Sequence, residues 1–210
     1  MAQQRNRASA SAFANWVFER TAPPARPPRP DDLIARAHRM TLGEIAHRDI
    51  DLFLRHKSMQ KHLGGKSTNT WDVWFTDSRD RPAHTFLASS LSVDGKPLSC
   101  IPDAVLYEKH TNSFLIIERK TTTTEYVPKA GWPNVEAQLW CYSHINELRE
   151  ATHILLVAQL WLRIRGGLSL HSYHPVWHRG EPFHERRCRS WFQEYGGEID
   201  RAPSQVNRAK

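Results

Sequence analysis

Two short stretches carry residue types that could act together on a phosphate ester: Ile101-Pro102-Asp103-Ala104-Val105 and Leu115-Ile116-Ile117-Glu118-Arg119-Lys120. If both are strands joined by a turn over Lys109-His110-Thr111-Asn112, a hairpin centred between His110 and Thr111 sets Asp103 opposite Glu118. A turn shifted by one residue sets Asp103 opposite Lys120 instead, so the three stay close either way. Side chains alternate along a strand, so Glu118 and Lys120 share a face with Phe114 and Ile116, across from Val105 and Tyr107. The polar trio ends an otherwise apolar surface, where unused hydrogen-bonding capacity is costly to bury.

Such a trio suits phosphodiester hydrolysis. Two carboxylates suit Mg²⁺ or Mn²⁺, hard ions that prefer oxygen ligands. An ion of this kind polarises the phosphate and lowers the pKa of a bound water. A lysine beside it orients that water and offsets charge on the pentavalent transition state. The plainer alternative is a surface salt bridge between Glu118 and Lys120, worth about 0–1 kcal/mol. The residues alone leave both open.

The elements that must position the trio can be read from periodicity and breakers. Thr41-x-x-Glu44 is a capping box that opens a helix over 41–63, stopped by Gly64-Gly65. Strands are expected over 71–75 and 85–93, with Asp94-Gly95 as a turn, then over 98–107 and 114–120. After Gly131 and Pro133 a helix is expected over 134–148, followed by a strongly apolar strand over 153–164. Gly166-Gly167 turns that strand so that 168–173 pairs back, and a closing helix over 186–195 ends at Gly196-Gly197. The order helix, strands, helix, strand predicts an α/β fold with a mixed central sheet flanked by helices.

Pro102-Asp103 followed by Glu118-x-Lys120 resembles the signature of the PD-(D/E)XK nuclease superfamily, on two adjacent predicted strands. Gly43-x-x-x-His47 on the preceding helix and Gln138-x-x-x-Tyr142 on the following one resemble elements of its RecB-type exonuclease branch. The resemblance implies a restriction-endonuclease-like core in α-β-β-β-α-β order. It also implies Mg²⁺ or Mn²⁺ held by His47, Asp103, Glu118 and the backbone carbonyl of Arg119, with Lys120 acting on the attacking water. Gln138 and Tyr142 would position a phosphate or the lysine; a spacing of four places both on one helical face. The chain departs from the branch in lacking a glycine before Ile101-Pro102-Asp103, where Cys100 stands nearby. Some relatives hold an iron–sulfur cluster on four cysteines, a pattern that three scattered cysteines do not match.

Composition bounds the rest. The 210 residues carry 29 Lys and Arg against 22 Asp and Glu, a net charge of +7 and a pI near 9.6. Such an excess attracts polyanions, nucleic acid foremost. Lys129, Trp132, Arg163 and Arg165 are candidate nucleic-acid contacts, with the Arg119 side chain a further one. Cys100, Cys141 and Cys188 form no CxxC pair, which predicts a reduced, cytoplasmic protein, and no apolar run is long enough to span a bilayer. Residues 1–30, rich in Pro and Arg, are expected to form a basic tail in which 13–18 could dock as one helical piece; a single nuclease domain over 31–199 and a tail over 200–210 follow.

His171, His174, His178, His184 and Cys188 gather within one stretch, and His184-x-x-x-Cys188 fits one helical turn, so a structural zinc is a competing idea. The expected function is a metal-dependent DNA nuclease, RecB-like and exonucleolytic, with protein partners in a repair, phage or defence complex. The alternative is a non-catalytic nucleic-acid-binding or assembly module that retains the fold.

Overall fold

A computed structural model describes residues 7–21, 71–77, 84–122, 128, 131–164 and 167–200, with the side chains of 164, 167 and 172–175 left aside. The helix expected over 41–63 lies outside these residues. The described elements are α1 (Ala10–Thr21), β1 (Asp72–Thr76), β2 (Phe86–Val93), β3 (Lys96–Cys100), β4 (Ala104–Glu108), β5 (Ser113–Thr122), α2 (Pro133–Tyr142), a 3₁₀ turn (Asn146–Leu148), β6 (His153–Ile164), β7 (Gly167–His178), α3 (Pro182–Glu194) and β8 (Gly197–Ile199). They form an α/β fold with a mixed five-stranded sheet in the order β1-β4-β5-β6-β7 and a three-stranded sheet in the order β3-β2-β8. No described helix is long and apolar enough to cross a membrane.

The β4–β5 hairpin takes the register centred between His110 and Thr111: Ala104 faces Ile117, Val105 faces Ile116 and Tyr107 faces Phe114. The Glu108 carboxylate fixes the turn by accepting the backbone N–H groups of His110 (3.0 Å) and Thr111 (2.8 Å). β5 then pairs with β6 in parallel, Glu118 beside Ala158 and Lys120 beside Leu160. A parallel pair needs a crossover, and α2 lies in the segment that makes it. Buried on both faces, β6 is apolar on both apart from the buried Gln159: Leu156, Ala158 and Leu160 join the main core, while Val157 and Trp161 join a smaller one with Leu106, Leu115 and Ile117.

Three expectations are corrected. The stretch over 98–107 is two strands in different sheets, because Pro102 has no N–H for a ladder and the chain changes sheets at Ile101-Pro102-Asp103. The tail reading gives way over Ala10–Thr21, where the prolines have not yet begun and the helical piece expected over 13–18 docks as part of a longer helix. Ala10, Phe13, Ala14 and Val17 recur at helical spacing and are buried, with Phe13 edge-on to Trp140 (6.3 Å) and Phe192 (5.1 Å). Ser9 caps this helix by accepting the Ala12 N–H at 3.1 Å, and Arg7 donates to the Tyr195 carbonyl at 2.8 Å. The helix expected over 134–148 ends at Tyr142. Beyond it Asn146 is drawn to β2, accepting the Ser89 N–H (2.9 Å) and donating to Ser89 Oγ (2.8 Å).

The Asp94-Gly95 turn has positive φ at both residues (51° and 70°), as a two-residue hairpin turn requires. At the end of α3 a Cβ on Gly197 would meet the Phe192 ring at 2.3 Å, so the chain can turn into β8 only without a side chain there. β8, unexpected from sequence, adds to β2.

His144, just beyond α2, packs edge-on to Trp140 (4.9 Å) and shares a 3.1 Å hydrogen bond with Ser90 Oγ. Burial pushes its pKa down from 6.5 to about 4, Arg189 and Arg179 adding to the effect against Glu185. Between those values the unfolded chain binds a proton that the folded chain does not, so the contribution is complete above pH 6.5 and is lost as pH falls towards 4. We expect this group to remove roughly 1–3 kcal/mol over that window. Denaturant melts from pH 7 to 4 check it: His144→Gln should flatten the acid-side loss, and an unchanged slope would refute the assignment.

Candidate active site

Alternation on β5 turns Glu118 and Lys120 towards α2, and the spacing of four on α2 turns Gln138 and Tyr142 back towards them. The result is one connected set of hydrogen bonds. The Lys120 ammonium pairs with the Glu118 carboxylate and donates to Gln138 Oε1 at 3.4 Å. Gln138 Nε2 donates to the Tyr142 hydroxyl at 2.6 Å, and that hydroxyl donates to the Ile101 carbonyl at 2.8 Å. This set fixes the amide orientation of Gln138: its nitrogen faces the phenol and its oxygen the ammonium.

Asp103 closes the set from the other side. Its carboxylate accepts the Arg119 backbone N–H at 2.6 Å, and its carbonyl accepts the Arg119 guanidinium at 3.1 Å and the Asp77 N–H at 3.0 Å. Arg119 therefore grips the Pro102-Asp103 bend twice, once through its backbone N–H and once through a side chain that is only 1% exposed. This overturns its reading as a surface phosphate contact, because alternation sends Arg119 to the sheet face opposite Glu118 and Lys120. Sequence reasoning missed the grip, although the alternation was there to be read.

Burial works against the charge on Lys120, but Glu118 and Asp103 outweigh it and raise the pKa, so the group is an ammonium at neutral pH. Tyr142 is pushed well above its ordinary value by burial and then by the same two carboxylates, which keeps it a phenol and a donor. Glu118 is 3% exposed and Lys120 keeps 31% of its side chain in solvent, so the site opens at the lysine end.

Of the other sequence candidates, His47, Lys129 and Arg165 lie outside the described residues. Trp132, at the start of α2, is half-buried against the main core, a packing position. Arg163 stands three residues beyond the position beside Lys120, about 10 Å along β6. Among the described residues no group of three or more His, Cys, Asp and Glu gathers where a metal could be held. Of the residues of the zinc idea, His171 and His178 are exposed, His184 is hydrogen-bonded to Glu136 at 2.7 Å, and Cys188 is fully buried.

No protein-family model matches the chain, and no curated protein matches it. A solved structure described as "Crystal structure of SSO0001" aligns at 13% identity over 87% of this chain and 83% of that one. Its TM-score of 0.30 is too low to carry an argument about fold or activity.

Replacing Tyr142 by Phe removes the donor to Ile101 and the acceptor of Gln138 at a position with 0% exposure. Leaving buried partners unsatisfied should lower unfolding stability by about 1–3 kcal/mol. Urea melts of wild type and Tyr142→Phe measure it, and equal midpoints would show that the bonds do not hold the bend.

Proposed function

We propose that the chain is a divalent-metal-dependent deoxyribonuclease with a restriction-endonuclease-like core, related to the RecB-type exonucleases. The observation that carries this reading is the bond set linking Lys120, Gln138, Tyr142 and the carbonyl beside Pro102-Asp103, with both carboxylates beside the ammonium. A surface Glu–Lys pair contributes little and leaves its ammonium mobile, whereas the Glu118 carboxylate is buried. Here the ammonium is held by Glu118 on its own strand and by Gln138 on α2.

The oxygen donor set fits Mg²⁺ or Mn²⁺, since such ions are commonly held by one or two carboxylates and keep several waters. Asp103 and Glu118 would hold the ion, with His47 and the Arg119 carbonyl as further donors. When bound, the metal supplies Lewis-acid activation of the phosphate and of a water. The remaining work falls to the chain. Arg119 holds Asp103 in place through backbone and side chain. Tyr142 keeps its proton and ties α2 to the bend. Gln138 keeps Lys120 directed at the carboxylates. Lys120, protonated and open to solvent on one side, orients the attacking water and offsets negative charge on the phosphorane-like transition state. A group that stays protonated does this as a donor rather than as a base. The basic charge of the chain favours a polyanionic substrate.

Lys120→Ala should lower cleavage of labelled linear DNA roughly 10²–10³-fold or more while the fold is retained. Wild type and variant are compared on linear and circular DNA with Mg²⁺, Mn²⁺ or EDTA. Loss of linear DNA alone supports exonuclease action, and cutting of circles makes it an endonuclease with the same site. Equal activity in the variant, or activity in EDTA, refutes the assignment. Salt-dependent binding without any cleavage would favour the non-catalytic module.

A further inference from the structure

A second built feature lies across α2 from this site. Phe183 and Trp191 stand two turns apart on α3 with Arg187 between them. The guanidinium lies 4.6 Å from the Phe183 ring centroid and 5.3 Å from that of Trp191. It is anchored from below by Glu136 on α2, a fully buried carboxylate that accepts Arg187 Nε at 3.1 Å, pairs with its terminal nitrogen, and accepts His184 Nδ1 at 2.7 Å. A ring–guanidinium–ring stripe is thus fixed to the core. Above it is an open cavity of about 360 Å³ lined by Phe183, Arg186, Arg187, Ser190 and Trp191. Phe183 is 62% exposed. Arg186 and Ser190 are exposed too, and no ion pair among the described residues engages Arg186, whereas Arg187 and Arg189 are paired with Glu136 and Glu185.

An exposed aromatic ring next to an exposed arginine matches a ligand that is both planar and anionic. We propose that this stripe is an accessory site for single-stranded nucleic acid, an unpaired base stacking on Phe183 while its phosphate meets Arg186 and Ser190 Oγ. The inference deepens the nuclease reading and rests on it for the class of ligand. Base–aromatic stacking needs an open base face, which the interior of a duplex does not offer. Glu136 bonds to α3 and Gln138 to Lys120, so α2 stands between the two features.

The test uses the full chain in EDTA, so that the probe is not consumed, and reads fluorescence anisotropy of three labelled probes. These are an oligothymidylate, an abasic strand of equal length and a blunt duplex. Phe183→Ala and Arg186→Ala alter exposed side chains and leave the core intact. Wild type should prefer the oligothymidylate, and Phe183→Ala should weaken that binding about 5–100-fold with little change for the abasic strand. Arg186→Ala should weaken both strands alike and reduce the salt slope by about one. Unchanged affinity in Phe183→Ala overturns the proposal, as does equal binding of the abasic strand or the duplex. So does a self-association that Phe183→Ala abolishes without changing DNA binding, since the patch would then serve a second copy. Phe183-dependent strand binding without metal-dependent cleavage supports this site and sinks the nuclease reading alone; cleavage with Phe183-independent binding does the reverse.

Discussion

Between Cys100 and Ala104 the chain leaves one sheet and enters another, and the candidate site depends on how that bend is held. A bend at a proline exposes backbone groups that no ladder can satisfy, and buried backbone groups must find partners. Here they find them in the chemistry-bearing residues. Asp103 and Arg119 bond reciprocally, side chain to backbone in each direction, and Tyr142 takes up the Ile101 carbonyl. The same bonds that close the bend also tie Asp103 to β5 and α2 to the bend. Structure and site are here one set of interactions.

That arrangement has an electrostatic consequence. Glu118 is almost wholly buried, and a buried carboxylate is tolerated only with a partner. Lys120 supplies the charge, and Gln138 and Tyr142 supply a neutral polar relay that needs no further ion. Burial of Lys120 would favour loss of its proton, but two carboxylates reverse the balance. A positively charged donor is thereby kept at a place where negative charge would develop on a transferring phosphate. On the far side of α2 the design repeats in another form: Glu136, buried, is matched by Arg187 and His184 and fixes the surface stripe of α3.

Much of this was legible in the residues. The β4–β5 hairpin followed from a turn of polar residues between two apolar runs, with its register left between two settings of which one is found, and the bounds of β6 followed from a strongly apolar segment, interrupted at Gln159, between breakers. The shared helical face of Gln138 and Tyr142 followed from their spacing. What failed did so for physical reasons. The run over 98–107 has strand composition throughout, and only Pro102 marks where pairing must stop. In the first thirty residues the helical piece over 13–18 was legible, but its full extent and its burial depend on partners far away in sequence, Trp140 and Phe192. A three-residue strand such as β8 has too few positions to show a pattern. Arg119 was misjudged because its charge was weighed before its face of the sheet.

The account stands on Asp103 and Glu118 forming a cation site beside Lys120, and calorimetric titration with Mn²⁺ tests that most directly. Asp103→Asn keeps an acceptor for the Arg119 N–H, and Glu118→Gln keeps the shape of the side chain, so both variants should fold. Saturable Mn²⁺ uptake by wild type that is lost in both variants is the predicted result. No uptake by wild type, or equal uptake by all three proteins, would contradict it.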